Sequence, residues 1–183
     1  MNDAATARQR QRDPRGPLPA IRFRAEVIPS DPGTIRRLVA STGFFSRQEI
    51  AIAVELAEER LAKGAPSGYE FLFAERDGGE VAGYTCFGEI PCTVARYDLY
   101  WIAVLDDFRG LGIGKSLMRR TEERIAQLGG RRIYIETSAR DQYLGTRIFY
   151  ERCGFREEAI LKDFYAPGDH KAIYLKELSA VSR

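Results

Sequence analysis

From Ile21 the chain alternates apolar and polar positions through IRFRAEVI, the period of a half-buried strand, which predicts a first strand over residues 21–28. Ser30-Asp31-Pro32 follows, with Asp31 suited to cap a helix and Pro32 to its first turn, so a short helix is expected to about Ser41. Ser46 and Glu49 have the spacing of a capping box. Behind them Ile50, Val54, Ala57 and Leu61 recur at helical spacing until Gly64, so a second helix turns one face inward. Residues 69–76 and 80–89 are two β-type runs joined by Asp77-Gly78-Gly79, a hairpin signal, and Tyr97 to Val104 continues the sheet. A helix from about Gly112 to Leu128 keeps Leu117, Met118, Thr121, Ile125 and Leu128 inside and Arg119, Arg120, Glu122 and Glu123 outside; Gly129-Gly130 stops it. A strand over 131–138, a shorter helix from about Gln142 to Cys153, and two strands around Ala166-Pro167-Gly168-Asp169 complete the chain. The order βααβββαβαββ is that of an α/β domain, a mixed sheet with helices on both faces and no internal repeat.

Composition fits that reading. Of 183 residues 44% are hydrophobic, enough for the core of one domain over residues 20–183. Residues 1–19 have no periodicity, carry Arg8, Arg10, Arg12 and Arg15, and include Pro14, Pro17 and Pro19, the composition of a flexible basic tail. Basic and acidic residues nearly balance, 28 against 26, which argues against specific nucleic-acid binding. No apolar run approaches the roughly 20 residues of a membrane helix, and the N-terminus lacks the apolar stretch of a signal peptide. Cys86, Cys92 and Cys153 show no CxxC spacing and His170 is the single histidine, so free thiols, no metal and a cytoplasmic location are expected.

The chemistry concentrates between Val104 and Ser116, in VLDDFRGLGIGKS, where a strand gives way to a helix. Unpaired backbone N–H groups and the helix dipole favour an anion there, and the glycines let a phosphate approach the main chain. Two nucleotide loops are excluded. A Walker A loop needs glycine five positions before Gly114, where Arg109 stands, and the dinucleotide fingerprint read from Gly110 needs glycine at Lys115. A bare strand-to-helix turn and an anion cradle remain, and Arg109 and Lys115, bracketing the turn, favour the cradle.

R-x-x-G-x-G as Arg109, Gly112 and Gly114, after the strand LYWIAV, resembles the acetyl-CoA motif of the GNAT family of N-acetyltransferases. Downstream, Phe149-Tyr150-Glu151-Arg152-Cys153-Gly154-Phe155 is similar to that family's FYxxxGF pattern, at the expected distance. The resemblance implies a mostly antiparallel sheet whose central strands splay apart. It further implies that main-chain N–H groups of Arg109, Gly110, Leu111, Gly112, Ile113, Gly114 and Lys115 cradle the pyrophosphate of acetyl-CoA, the co-substrate. The pantetheine arm would pair with the strand edge at Ile102, Ala103 and Val104. Where the family often has asparagine and alanine, this chain has Tyr143 and Thr146; Tyr143, Arg147 and Tyr150 share a helical face, so Tyr143 is either a cofactor contact or a packing aromatic.

For catalysis the resemblance makes Tyr150 the general acid toward the leaving thiolate and puts Asp98 at the position of a catalytic glutamate. Glu89, ending the preceding strand, is the rival base, and a backbone N–H near Val104 is the oxyanion donor. A covalent route through Cys153 with His170 as base is the remaining chemical alternative. Phe44, Phe45, Tyr100, Phe164 and Tyr165 are candidates for the acceptor groove. The hairpin from Asp163 to Asp169 is similar to that of enzymes acetylating ribosomal-protein N-termini, with Asp169-His170-Lys171-Ala172 following Gly168 in place of Glu-Asp-Ala. The expected function is direct transfer of an acetyl group from acetyl-CoA to a primary amine, a small molecule or a peptide N-terminus, in a ternary complex. A catalytically silent acyl-CoA-binding module is the alternative, and a homodimer stays open.

Overall fold

A computed structural model describes residues 20–179; the tail expected over residues 1–19 and the last four residues lie outside them. The chain runs β1 (Ile21–Arg24), α1 (Asp31–Ser41), α2 (Arg47–Lys63), β2 (Tyr69–Arg76), β3 (Val81–Glu89), β4 (Arg96–Val104), α3 (Ile113–Gln127), β5 (Arg132–Ser138), α4 (Leu144–Arg152), β6 (Arg156–Ala166) and β7 (Asp169–Glu177). This is the order the hydrophobic pattern predicts. The strands form one seven-stranded sheet in the order β1-β2-β3-β4-β5-β7-β6.

Every neighbouring pair is antiparallel except β4 and β5, and that pair carries the architecture of the site. They run parallel only where Arg96, Tyr97 and Asp98 face Arg132, Ile133 and Tyr134. Above Asp98 they part. β3 pairs Cys86 with Trp101 but Phe87 with Leu99, so Tyr100 is an extra residue in β4, a bulge that bends the strand just past the last paired residue. β5 meanwhile follows β7 along its whole length, from Arg132 opposite Glu177 to Ser138 opposite Lys171. Leu99 to Val104 therefore present an edge with no strand beside it.

The two faces are covered by different helices. Ile35, Leu38 and Val39 of α1 and Ala53, Val54 and Ala57 of α2 pack on Phe71, Phe73, Tyr84 and Cys86. On the other face Met118 and Ile125 of α3 and Tyr150 of α4 pack on Tyr97, Leu99, Ile133, Ile135 and Tyr174. Leu61 and Leu128, expected inside, are exposed at the ends of their helices.

Local expectations fail where a long-range contact competes. β1 stops at Arg24, short of Ile28, because the Arg24 guanidinium ties the chain to Asp31 at 2.9 Å and Glu75 at 2.7 Å. Asp31 does not cap its own helix. Its carboxylate accepts the Ile28 N–H at 2.7 Å, and Ser30 takes the N-cap position without a side-chain bond. The expected helix from Gln142 begins as a single 3-10 turn, Asp141–Tyr143, before α4.

Candidate functional site

Past β4 the chain makes a 3-10 turn, Asp106–Phe108, and then the glycine turn. Gly110 and Gly112 have φ of 76° and 80°, the left-handed region that side chains rarely enter, and Gly112 is the N-cap of α3. The first intrahelical bond runs from the Ser116 N–H to the Gly112 carbonyl at 2.9 Å. The N–H groups of Ile113, Gly114 and Lys115 therefore have no helical acceptor and point, with the helix dipole, at whatever lies ahead. The Arg109 guanidinium lies over the Phe44 ring, 5.5 Å from its centroid, while its Nε holds Asp106 at 3.0 Å.

Ahead of those amides is a cavity of about 550 Å³ between the parted strands. One wall is the β4 edge, Ile102, Ala103 and Val104; the floor is the glycine turn from Arg109 to Lys115, Leu111 excepted. The opposite wall holds Thr137 of β5 and Tyr143, Thr146 and Phe149 around α4, and the loop between α1 and α2 adds Thr42, Phe44 and Phe45. The expected cofactor residues thus meet in one place, apart from Leu111 and Tyr150. Thr137 escaped the sequence reading, and Phe149 entered it only as part of the FYxxxGF pattern and not as a site residue; both line the cavity where the strands part. Tyr143 packs and bonds at once: its ring lies 5.8 Å from that of Phe44 and its hydroxyl donates to the Phe44 carbonyl at 3.2 Å.

None of the three expected catalytic residues is among those lining the cavity. Tyr150 lies one turn beyond Thr146, buried against Phe149, Phe155 and Tyr174, and burial pushes its hydroxyl well above the usual phenol range. Asp98 stands where the strands begin to part. Burial first, then the charge of Glu136, pushes its carboxyl up to about 6, with Lys171 pulling the other way. Glu89 sits opposite Tyr97 at the paired end of the sheet and does not line the cavity. Cys153 and His170 are engaged elsewhere. His170 Nδ1 accepts the Asp163 N–H at 2.8 Å inside the β6–β7 hairpin, and burial pushes the Cys153 thiol up.

Away from α3 and α4, the sheet face over β5 and β7 carries a row of polar side chains. Asp98 faces Tyr134 and Ser138 faces Lys171, and alternation along β5 brings Glu136 to the same face. Lys171 Nζ holds Glu136 Oε2 at 2.6 Å and lies 3.5 Å from the Phe164 ring centroid and 5.7 Å from that of Tyr165. Deeper in, the buried Ser138 hydroxyl donates to Asp169 at 2.6 Å, and Arg140 Nε holds the same carboxylate at 3.1 Å. Tyr165 is pushed up to about 12 by burial, then by the charges of Glu136, Asp169 and Glu49 and by Tyr143. Phe44, Phe45, Tyr100, Phe164 and Tyr165 divide accordingly, the first two in the cavity and the others exposed on the open face. Among the described residues no helix is long and apolar enough to cross a membrane.

Comparison with known proteins places these features in context. A profile described as the acetyltransferase (GNAT) family matches residues 36–155. An N-alpha-acetyltransferase of Sulfurisphaera tokodaii is 30% identical over 115 residues, 54% of this chain and 64% of that protein. The match therefore spans less than two thirds of that relative. A solved GNAT-family structure from Desulfovibrio desulfuricans superposes with a TM-score of 0.86 at 46% identity, covering 87% of this chain and all of the other. An aminoglycoside 6'-N-acetyltransferase solved with coenzyme A shares the fold, with a TM-score of 0.67 at 17% identity over 90% of this chain and 99% of the other.

Proposed function

Because the chain belongs to the acetyltransferase (GNAT) family, we propose that it moves an acetyl group from acetyl-CoA directly to a primary amine, and that the amine is a peptide N-terminus. The observation that carries the reading is the parting of β4 from β5 above Asp98, directly over a helix N-terminus with free amides. The chemistry of the cavity fits the co-substrate. Free N–H groups from Ile113 to Lys115, opened by two left-handed glycines, suit a diphosphate. The unpaired edge of Ile102 to Val104 suits the amides of a pantetheine arm as it would an added strand. The thioester is the acyl donor that coenzyme A supplies.

Three roles fall to this chain's residues. A main-chain N–H near Val104 donates to the oxygen where negative charge develops. Asp98 receives the amine's proton through intervening water, since a carboxylate titrating near 6 is ionised at neutral pH and still basic enough to serve. Tyr150, kept protonated by burial, donates a hydrogen bond toward the leaving thiolate. In the balance of the step the N–C bond forms as the C–S bond breaks; of the two protons the ammonium gives up, one leaves through Asp98 and the other ends on the coenzyme A sulfur.

An α-amine suits this arrangement. Freeing a lysine-like amine with pKa near 10.4 costs about 4 kcal/mol at pH 7.4, whereas an α-amine near 7.8 costs about 0.5 kcal/mol. A carboxylate acting through water is sufficient only for the second. The match to an N-alpha-acetyltransferase supports the same acceptor class.

The test is thiol release from acetyl-CoA in the presence of short peptides with free or blocked N-termini, with mass analysis of the peptide. Release that requires the free N-terminus is expected, and Tyr150→Phe lowers it strongly while calorimetry still detects coenzyme A. Binding of coenzyme A with no acetylated amine would identify a silent binding module instead.

A further inference from the structure

The open face of β5 and β7 already contains a cation. Lys171 is 7% exposed, yet its Nζ carries a charge, held by Glu136 at 2.6 Å and roofed by Phe164 at 3.5 Å, with Tyr165 at 5.7 Å. A carboxylate beneath an aromatic face is the surrounding by which proteins recognise ligand ammonium groups. Here the chain fills it itself. Its walls remain half-open to solvent: Glu136, Phe164 and Tyr165 are each about half exposed, so the cage stands at the surface rather than in the core.

The position matters as much as the chemistry. Thr137, which lines the cavity, lies between Glu136 and Ser138, and Ser138 is paired with Lys171. Because side chains alternate along β5, Thr137 turns to the cavity and the caged ammonium lies on the opposite sheet face, the one that also carries Asp98, the proposed proton acceptor. Among the carboxylates that β4, β5 and β7 bring to that face, Glu136 pairs with Lys171, Asp169 with Arg140 and Glu177 with Arg132, which leaves Asp98 for an incoming ammonium, while Glu49 of α2 is engaged by the Ser46 N–H.

We infer that Lys171 is a built-in cation that occupies the ammonium site of the acceptor groove, so that the groove admits an amine acceptor with one positive charge and turns away one carrying a second ammonium beside the first. The inference rests on the peptide N-terminus reading and deepens it: the acceptor is an N-terminus whose first residue is uncharged. A lysine-first peptide would bring its side-chain ammonium against Nζ in a site with no carboxylate left over.

Two peptides identical but for the first residue, alanine or lysine, test this by kcat/KM with acetyl-CoA saturating. The full chain is expected to favour the alanine-first peptide by about tenfold or more, a step equivalent to about 1.4 kcal/mol. Lys171→Met brings that ratio close to one, whatever it does to the absolute rates. Lys171→Arg, which keeps the charge, keeps the preference. Should Lys171→Met not fold, Glu136→Gln gives an independent reading, because removing the counter-charge widens the preference. A wild-type ratio near one, an unchanged ratio in Lys171→Met, or an unchanged or narrowed ratio in Glu136→Gln overturns the inference while leaving the acetyltransferase reading intact. So does loss of the preference in Lys171→Arg, which would make shape rather than charge the cause. Failure of the wild-type chain to acetylate either peptide overturns both.

Discussion

The Tyr143 hydroxyl donates to the Phe44 carbonyl oxygen at 3.2 Å, joining residues 99 positions apart and tying the loop after α1 to the start of α4. Both residues line the cavity, so the bond connects two of its walls. The resemblance left Tyr143 open between packing and cofactor contact. With its hydroxyl committed to Phe44, it acts as a clasp.

Tyr143→Phe keeps the ring against Phe44 and removes only the clasp. A net hydrogen bond is worth about 1 kcal/mol, or roughly a fivefold change in an equilibrium or a barrier. Coenzyme A is expected to dissociate about fivefold faster from the variant in stopped-flow displacement. An unchanged dissociation rate would show that the two walls are held by packing alone.

A second prediction concerns the ion cluster that ended β1 early. Arg24 holds Asp31 and Glu75, both nearly fully buried, and its guanidinium lies 4.4 Å from the Phe73 ring centroid. Burial alone would raise Glu75, but hydrogen bonds from Arg24 and Arg22 outweigh it and hold the carboxyl below its ordinary 4.5. Arg24→Met leaves buried Asp31 with the Ile28 N–H alone and buried Glu75 with the exposed Arg22 alone, which costs about 3–5 kcal/mol, or roughly 10 °C in Tm. The sign with pH follows. A depressed carboxyl contributes stability that is present above its unfolded pKa and lost as pH falls through the folded value, so the wild type loses stability on acidification. In Arg24→Met the stranded carboxylates are relieved by protons. Its deficit therefore shrinks between pH 7 and pH 4.5; a constant deficit in melts across that range would count against the hub.

The contrast between Arg24 and the glycine turn shows what a sequence carries. Gly110 and Gly112 announce themselves because only glycine enters their backbone conformation cheaply, and the capping box of Ser46 and Glu49 forms as its spacing predicts, with both bonds made. Such signals are local. The parting of β4 from β5 is not: the resemblance implies it, but the residues do not show it, because the one extra residue, Tyr100, sits inside the continuous apolar run LYWIAV. Glu136 and Lys171 are likewise silent in sequence, because a single charge within a strand reads as a solvent-facing position until register sets it beside its partner. Glu89 and Asp98 look alike as strand carboxylates. Only the pairing shows that one lies at the closed end of the sheet and the other where it opens.

Asp98 gives the sharpest test of chemistry because its environment works against its own ionisation. Its carboxyl is raised from 3.8 to about 6, by burial and then by Glu136. A carboxyl raised by folding binds its proton more tightly in the native state, so Asp98's own contribution to stability grows as pH falls from about 6 toward 3.8, opposite in sign to that of Glu75, and its ionised form costs stability above 6. Because Asp98 is only half-buried, solvent screening reduces that cost to about 1 kcal/mol. Asp98→Asn is therefore expected to melt a few degrees higher than the wild type at pH 7.5. Its activity moves the other way. With Asp98 receiving the proton, the acidic limb of kcat/KM for an α-amine peptide falls near 6, about tenfold per unit below that. Without it the limb shifts up toward the amine's own value near 7.8. A variant both more stable and displaced in its pH profile marks a charge kept for proton transfer at the expense of the fold; the same limb in both proteins would remove Asp98 from the reaction.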